Sequence, residues 1–184
     1  MLNFAARVRR LSLTGGLLVS LAALAAALAG AAQTAPLRIV ALGASNTAGW
    51  GVAPAESYPA QLEAMLTGSG MPASVANAGV PGDTTAGMLA RLEREVPSGT
   101  QLVILQPGTN DERYGSGRER AANIAEIGRR LDSRGIKLLI IENSMLAELP
   151  ASELREDGIH YTPKGYALLA QRVLPLIVEA LKTR

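Results

Sequence analysis

Cysteine is absent from this chain of 184 residues, and histidine occurs once. Without cysteine the chain can form neither a disulfide nor a thiolate nucleophile or metal ligand. A single histidine excludes the usual zinc site, in which several histidines hold one ion. We therefore expect no metal and no other cofactor. A protein of this composition depends on packing for its stability.

Aromatic residues make up 3% of the chain, and 18 basic residues are set against 16 acidic ones. No basic stretch contains interleaved aromatics, so nucleic acid is not an expected partner. All three charges within residues 1–32 are arginines, which leaves 15 basic and 16 acidic residues in 33–184. The basic character of the whole chain therefore comes from its first 32 residues.

Residues 1–32 have the pattern of an export signal. A basic start is followed by an apolar run over residues 11–30, and Ala29-Gly30-Ala31-Ala32 offers small residues for cleavage. We predict a cleaved signal peptide and a periplasmic or secreted single domain over 33–184. The run is also long enough to remain as an anchor, and Arg9-Arg10 only loosely resembles a twin-arginine signal, so the export route stays open.

The stretch Leu37 to Asn46 organises the domain. Its apolar run is bounded by Pro36 and Gly43, which predicts a buried strand of a parallel sheet. Ser45 then follows the strand's C-terminal end, the edge where open α/β sheets bind ligands. The alternative is that Ser45 caps the following helix.

Strand and helix patterns alternate along the rest of the domain. This alternation predicts a three-layer α/β/α sandwich around a parallel sheet of about four strands. The predicted strands after the first are 73–77, 101–106 and 136–141, and the predicted helices are 58–66, 85–96, 118–131 and 163–181.

A serine that acts as a nucleophile in hydrolysis requires a base and a group that orients this base. Histidine is suited to this because its ordinary pKa is about 6.5, and a carboxylate on the other ring nitrogen fixes the tautomer. Asp157 precedes His160 by three residues, so the pair is a candidate orienter and base for Ser45. The alternative makes Asp157 a helix cap.

A tetrahedral intermediate also needs fixed donors for its oxyanion. The candidates are the backbone N–H groups of Ser45 and Gly82 and the side-chain amide of Asn110. Each follows a different predicted strand, at the same edge of the sheet. Taken singly, each of these residues is typical of a turn.

Four segments carry a resemblance to a known family. They are Gly43-Ala44-Ser45-Asn46, Asn77 through Thr84, Gly108-Thr109-Asn110-Asp111, and Asp157-Gly158-Ile159-His160. In this order they resemble the SGNH hydrolases, also called GDSL esterases/lipases, and look most like the small bacterial periplasmic thioesterase, lysophospholipase and arylesterase branch. The resemblance implies a flavodoxin-like SGNH hydrolase fold and an acyl-enzyme mechanism on small-molecule esters or thioesters, with no stable partner.

Carried over by position, the resemblance makes Ser45 the nucleophile, His160 the base and Asp157 its orienter. Gly82 and Asn110 become oxyanion donors alongside Ser45.

The chain departs from the family pattern in two places. The usual Gly-Asp-Ser-Leu is Gly-Ala-Ser-Asn, so Ala44 replaces the carboxylate beside the nucleophile. Only about fifteen residues separate Ile141 from Asp157, where relatives usually fit a further helix and strand. We therefore expect a reduced sheet without the fifth strand, with residues 142–156 leading directly to the catalytic loop.

The substrate-binding residues are open at this point. Trp50, Val52, Tyr58 and Tyr114 are equally consistent with an acyl pocket and with the core. A catalytically weak or inactive binding protein on the same scaffold is the alternative function, favoured by Ala44. A phosphoacceptor receiver domain would need an acidic cluster at the strand ends, which Gly43-Ala44-Ser45 does not supply.

Overall fold

The first strand, β1 (Leu37–Gly43), lies inside a parallel sheet of four strands, in the order β2-β1-β3-β4. The computed structural model describes residues 35–182, so the predicted signal peptide over 1–32 lies outside the described residues. The other strands are β2 (Ala73–Gly79), β3 (Leu102–Gln106) and β4 (Lys137–Ile140). The predicted parallel sheet of four strands is confirmed.

Seven helices accompany these strands within residues 35–182, and two single 3-10 turns lie at Pro54–Glu56 and Ala151–Glu153. The helices are α1 (Ser45–Ala48), α2 (Tyr58–Gly68), α3 (Thr85–Glu95), α4 (Asn110–Arg113), α5 (Gly117–Asp132), α6 (Asn143–Ala147) and α7 (Pro163–Lys182). The four longer helices agree with the predicted ones to within about two residues at each end. None of the described helices is long and apolar enough to cross a membrane.

Two apolar clusters cover the two faces of the sheet. Ile39 and Ala41 of β1 pack with α2 and α7, whereas Val40 and Leu42 pack with α3 and α5. Successive residues of a strand point to opposite faces, so the unbroken apolar run from Ile39 to Leu42 requires helices on both sides. The three-layer sandwich predicted from the alternation of elements is therefore confirmed.

The strand ends are aligned at one edge. Gly43 of β1 is paired with Gly79 of β2 and with Gln106 of β3. The segments that follow these three residues therefore start side by side, which brings the predicted site segments together.

The sheet of the described chain has no fifth strand, as the short distance from Ile141 to Asp157 predicts. Residues 142–156 contain α6 and a 3-10 turn. They lead directly to the loop that carries Asp157 and His160, called the catalytic loop below. That loop is closed at its base by an isolated antiparallel bridge between Leu154 and Tyr161. In this segment, a bridge between two residues is found where relatives usually have a further helix and strand.

Candidate active site

Ser45 is the first residue of α1, directly after β1. The capping position belongs to Ala44, and no side chain caps this helix. The alternative of Ser45 as a helix cap is therefore wrong. In the first turn of a helix the backbone N–H has no acceptor within the helix, so Ser45 presents both its hydroxyl and its N–H at the sheet edge.

Gly82 lies in a tight turn after β2. The N–H of Asp83 donates to the carbonyl of Val80 at 3.1 Å, and Gly82 has φ +80°. Proline at the second position and a glycine of positive φ at the third are the signature of a type II turn. The bond that closes this turn does not use the Gly82 N–H, which is left for another acceptor.

Asn110 begins α4 and is fixed by the same loop. Its Nδ2 donates to the carbonyl of Asp83 at 2.8 Å. A carboxamide nitrogen carries two hydrogens, so one remains for a ligand while the first sets the orientation of the group. The predicted donor is thus also a structural link between the loops after β2 and β3.

A buried ion pair braces the Gly82 turn against β1. Arg91 of α3 donates to Asp83 Oδ2 at 2.8 Å, and the two side chains are only 9% and 12% exposed. A second nitrogen of Arg91 donates to the carbonyl of Gly43 at 3.1 Å. Gly87 permits this arrangement, because a Cβ there would lie 1.9 Å from Asp83 Oδ1.

A second buried carboxylate joins the loops that carry Gly82 and Asn110. Asp111 is fully buried and accepts from the Thr85 N–H at 3.0 Å and the Thr85 hydroxyl at 2.6 Å. Asn123 of α5 in turn donates to the Thr85 hydroxyl at 3.1 Å. The start of α3 is thereby tied to the start of α4.

Ala44 stands where the family pattern has an aspartate. It is buried and belongs to the apolar cluster beneath α3. Arg91 donates to the carbonyl of Gly43, the residue before Ala44, and its Nη1 is buried without a hydrogen-bond partner among the described residues. The methyl group of Ala44 therefore extends the core up to Ser45.

His160 and Asp157 lie on the loop between Leu154 and Tyr161. Asp157 Oδ2 is 2.8 Å from His160 Nδ1, and Asp157 Oδ1 accepts the backbone N–H groups of Ile159 and His160, both at 2.9 Å. The last long helix starts at Pro163. Asp157 therefore closes a local turn. The alternative that Asp157 caps α7 is wrong.

The same contacts settle the charge of the carboxylate. The His160 backbone N–H, the His160 ring and the Ile159 N–H hold the pKa of Asp157 well below its usual range. Asp157 therefore stays ionised at neutral pH. Its contribution to stability is present above the ordinary aspartate pKa and is lost as the pH falls through the depressed value.

The other ring nitrogen is unused. His160 Nε2 is buried and has no hydrogen-bond partner among the described residues. With Nδ1 occupied by a carboxylate, Nε2 is the ring atom left to take a proton. No hydrogen bond joins it to the Ser45 hydroxyl in this structure. In ligand-free sites such bonds are often long.

Two cavities meet at Ser45. The histidine-side cavity, of about 270 Å³, has Ser45, Trp50, Gly82, Asn110, Ile159 and His160 in its lining. The amide-side cavity, of about 240 Å³, has Ser45, Asn46, Gly108, Asn110, Asn143 and Leu146 in its lining. Of the five residues proposed for catalysis, Ser45 and Asn110 line both cavities, and His160 and Gly82 line only the first.

Four residues were left open from the sequence as pocket or core. Tyr58 is fully buried in the core, and Val52 packs against the same cluster. Trp50 is 53% exposed and its ring centroid lies 6.2 Å from that of His160. Tyr114 is also exposed, with its hydroxyl 3.5 Å from where a Cβ of Gly82 would stand.

Asn46 links two sides of the site, a role that its sequence pattern did not predict. Its Nδ2 donates to the Ile159 carbonyl at 3.3 Å, and its Oδ1 accepts from the Tyr166 hydroxyl at 3.0 Å. The sequence feature that could have indicated this link is that Asn46 directly follows Ser45, where the family pattern has an apolar leucine. Asn46 joins α1, which begins with Ser45, to the loop that carries Asp157 and His160 and to α7.

Known proteins of one family resemble this chain in sequence. A model of the GDSL-like lipase/acylhydrolase family matches residues 41–153, a stretch that contains Ser45, Gly82 and Asn110 and ends before Asp157. Esterase TesA of Pseudomonas aeruginosa is 32% identical over 114 residues, which are 59% of this chain and 55% of TesA. The matched stretch thus spans about half the length of that relative.

Solved structures share the fold over more of the chain. A crystal structure of TesA has a TM-score of 0.68 at 23% identity and covers 78% of this chain and 99% of its own. AlinE4, an SGNH-hydrolase family esterase, has a TM-score of 0.61 at 27% identity, covering 80% of this chain and 97% of its own. The psychrotrophic esterase EstA from Pseudoalteromonas sp. has a TM-score of 0.70 at 15% identity, covering 80% and 100%.

The family match extends over more than half of the sequence, and the four-stranded sandwich brings the segments that follow Gly43, Gly79 and Gln106 together at one sheet edge. This chain belongs to the GDSL-like lipase/acylhydrolase family.

Proposed function

We propose that this protein is a serine hydrolase that cleaves small carboxylic esters or thioesters through an acyl-enzyme on Ser45. The observation that carries the proposal is the state of His160. Its Nδ1 is held by the ionised Asp157, while its buried Nε2 has no partner among the described residues and the ring lines the same cavity as Ser45. A binding site has no need of an imidazole held in this way.

In the first step Ser45 Oγ attacks the carbonyl carbon, and its proton passes to His160 Nε2. The carbonyl oxygen becomes an oxyanion, which accepts from the N–H groups of Ser45 and Gly82 and from Asn110 Nδ2. The bond to the leaving oxygen or sulfur then breaks, and His160 returns the proton to the leaving atom. Acyl-Ser45 and a free alcohol or thiol result.

In the second step water attacks the acyl-enzyme. His160 Nε2 takes one proton of the water, and the second oxyanion is held by the same donors. Its collapse breaks the bond to Ser45 Oγ, which recovers its proton from His160, and releases the carboxylic acid. Asp157 remains ionised throughout and stabilises the imidazolium formed in each half-reaction.

The experiment compares ester hydrolysis by the wild type, Ser45→Ala and the control Ser98→Ala, an exposed serine between α3 and β3. Loss of the nucleophile should lower kcat by roughly 10⁴-fold or more. Ser98→Ala should keep the wild-type rate, and circular dichroism should show that all three proteins are folded. Equal rates for wild type and Ser45→Ala would contradict the proposal and favour a binding protein on this scaffold.

The signal peptide predicted over residues 1–32 supports export, so we propose that the hydrolase acts in the periplasm or is secreted.

A further inference from the structure

The amide-side cavity is the one in which an acyl chain can lie. The two cavities share Ser45, Thr109, Asn110 and Ile159, but His160 lines only the histidine-side cavity. In the proposed reaction the leaving atom receives its proton from His160 Nε2, so it must lie within hydrogen-bond reach of that nitrogen. The leaving group is therefore on the histidine side, and the acyl chain extends into the amide-side cavity.

A buried carboxamide lies in the wall of the amide-side cavity. Gln106, the last residue of β3, is only 1% exposed and lines this cavity. Its Oε1 accepts from the hydroxyl of the buried Thr47 at 3.3 Å, whereas its Nε2 donates to no group of the described residues. A buried donor without an acceptor costs free energy. A ligand that offers an acceptor to Gln106 Nε2 is therefore favoured in this cavity.

Gly108 keeps this donor open to the cavity. A Cβ at Gly108 would stand 3.7 Å from Gln106 Nε2, in van der Waals contact with it. Gly108 itself lines the cavity and has φ +68°, a conformation that glycine adopts without steric cost. The absence of a side chain at this position leaves the amide of Gln106 accessible to a ligand.

Asn143, the first residue of α6, brings an acceptor to the same glycine. Its Nδ2 donates to the Gly108 carbonyl at 3.1 Å, which orients the carboxamide. Its Oδ1 accepts no hydrogen bond from the described residues. Like Gln106, Asn143 lines the amide-side cavity. One side chain thus offers a free donor and the other a free acceptor, both beside Gly108.

The rest of the amide-side cavity suits a short, uncharged chain. Its volume is about 240 Å³, below the roughly 300 Å³ at which pockets for drug-sized ligands begin. Leu146, which is buried, and Ala147 line it on the side of α6 and give apolar contacts to carbon atoms. No charged side chain of the described residues lines this cavity. A carboxylate or an ammonium group on the acyl chain would lose water there without gaining a partner.

We propose that Gln106 and Asn143 form an acyl subsite that recognises a hydroxyl group on a short acyl chain. A hydroxyl both donates and accepts, so it can accept from Gln106 Nε2 and donate to Asn143 Oδ1 at the same time. The inference rests on the proposed serine hydrolase and deepens it, because it names the class of acid released. The substrate class is an ester of a short hydroxy acid.

The test uses two pairs of methyl esters in which a hydroxyl takes the place of a methyl group. They are methyl lactate with methyl isobutyrate, and methyl β-hydroxybutyrate with methyl isovalerate. Each kcat/KM is divided by the rate constant for hydrolysis by hydroxide, which removes differences in intrinsic reactivity. In at least one pair the wild type should favour the hydroxy ester by about tenfold, the net effect of one or two hydrogen bonds. It should also prefer one enantiomer of that ester, because the donor and the acceptor are fixed.

Two variants remove the partners of the hydroxyl one at a time. Gln106→Leu deletes the donor and Asn143→Ala deletes the acceptor, and each should lower the normalised ratio and the enantiomer preference by about threefold to tenfold. Gln171→Leu changes an exposed glutamine of α7 that lines neither cavity, and it should keep the wild-type ratio and rates. Thermal unfolding shows whether each variant is folded. Should Gln106→Leu not fold, Asn143→Ala and the wild-type ratio still decide the matter.

Normalised ratios near unity for both pairs in the wild type, with hydrolysis dependent on Ser45, would overturn the subsite and leave the proposed function intact. The same holds if the folded variants keep the wild-type ratio, or if the wild type cleaves none of the four esters but cleaves phenyl acetate in a manner dependent on Ser45. Hydrolysis that survives Ser45→Ala would instead overturn the proposed function itself. The two failures are therefore distinguishable in one set of assays.

Discussion

The two sides of the active site are built in opposite ways. The oxyanion side rests on buried charges and amides, with Asp111 fully buried and the Arg91–Asp83 pair nearly so. His160, the proposed base, lies on an exposed loop, where the Asp157 side chain is 40% exposed. One side is fixed by contacts between distant segments, and the other by contacts within four residues.

This difference follows from what each side must do. Oxyanion donors must be in place before charge develops, because reorganising them during the reaction would cost part of their effect. Contacts of Thr85 with Asp111, and of Asn110 with Asp83, supply that rigidity by joining two distant points of the chain. The base needs only a fixed ring orientation, and Asp157 provides it with three bonds of its own.

The loop is nevertheless attached to the nucleophile side at two points. Asn46 donates to the Ile159 carbonyl and Arg155 donates to the Gly51 carbonyl. Both contacts end near Ser45 in sequence, at positions one and six residues after it. We infer that they set the distance between nucleophile and base, whereas Asp157 sets the angle of the ring.

The largest expected effect is on the exposed side. Asp157→Asn removes the charge that stabilises the imidazolium and permits the wrong tautomer, so kcat should fall by roughly 10⁴-fold. The thermal unfolding midpoint near neutral pH should fall only modestly, because the amide oxygen of the variant can still accept the Ile159 and His160 N–H groups. The control is Asp132→Asn, at the end of α5 and outside both cavities. Full activity of Asp157→Asn would show that the carboxylate only closes the turn.

The next effect is on the oxyanion side. Asn110→Ala deletes one donor, and kcat should fall by roughly a hundred- to a thousandfold. KM should change little, since the donor acts on charge that develops in the transition state. The measurement is steady-state kinetics together with thermal unfolding. Normal kcat with a lowered unfolding midpoint would make Asn110 a structural link and nothing more.

The smallest effect on kcat is expected for Thr85→Val, which tests whether the buried network stabilises the fold more than it affects the reaction. Thr85→Val keeps the shape of the side chain but removes the hydroxyl that donates to Asp111. The free energy of unfolding should fall by about 1–3 kcal/mol, the usual cost of a lost partner for a buried polar group. The loss of kcat should be well below that of Asn110→Ala. A stable Thr85→Val protein would mean that the buried network does not hold the loops.

Local patterns in the sequence predicted the parts of this site that depend on local structure. The apolar run before Gly43 placed Ser45 at a strand end, and the spacing of three residues placed Asp157 beside His160. The four longer helices were visible because they span several turns. The catalytic roles of Ser45, Asp157, His160, Gly82 and Asn110 stay predictions.

The missed features depend on contacts between distant residues. Thr85 and Asp111 are 26 residues apart, and Asn46 and Ile159 are 113 apart, so no periodicity or motif marks these pairs. The short helices α1, α4 and α6 have at most five residues, too few to show an apolar repeat. Their positions are set by the sheet edge and by the loops around them.

The central claim is that His160 activates Ser45 as a nucleophile. The measurement that tests it most directly is the rate and site of covalent labelling by a fluorophosphonate, followed by mass spectrometry of the protein and its peptides. We expect one adduct per chain on Ser45 in the wild type, no adduct in Ser45→Ala, and much slower labelling in His160→Ala. An adduct on another residue, or labelling of His160→Ala at the wild-type rate, would contradict the account.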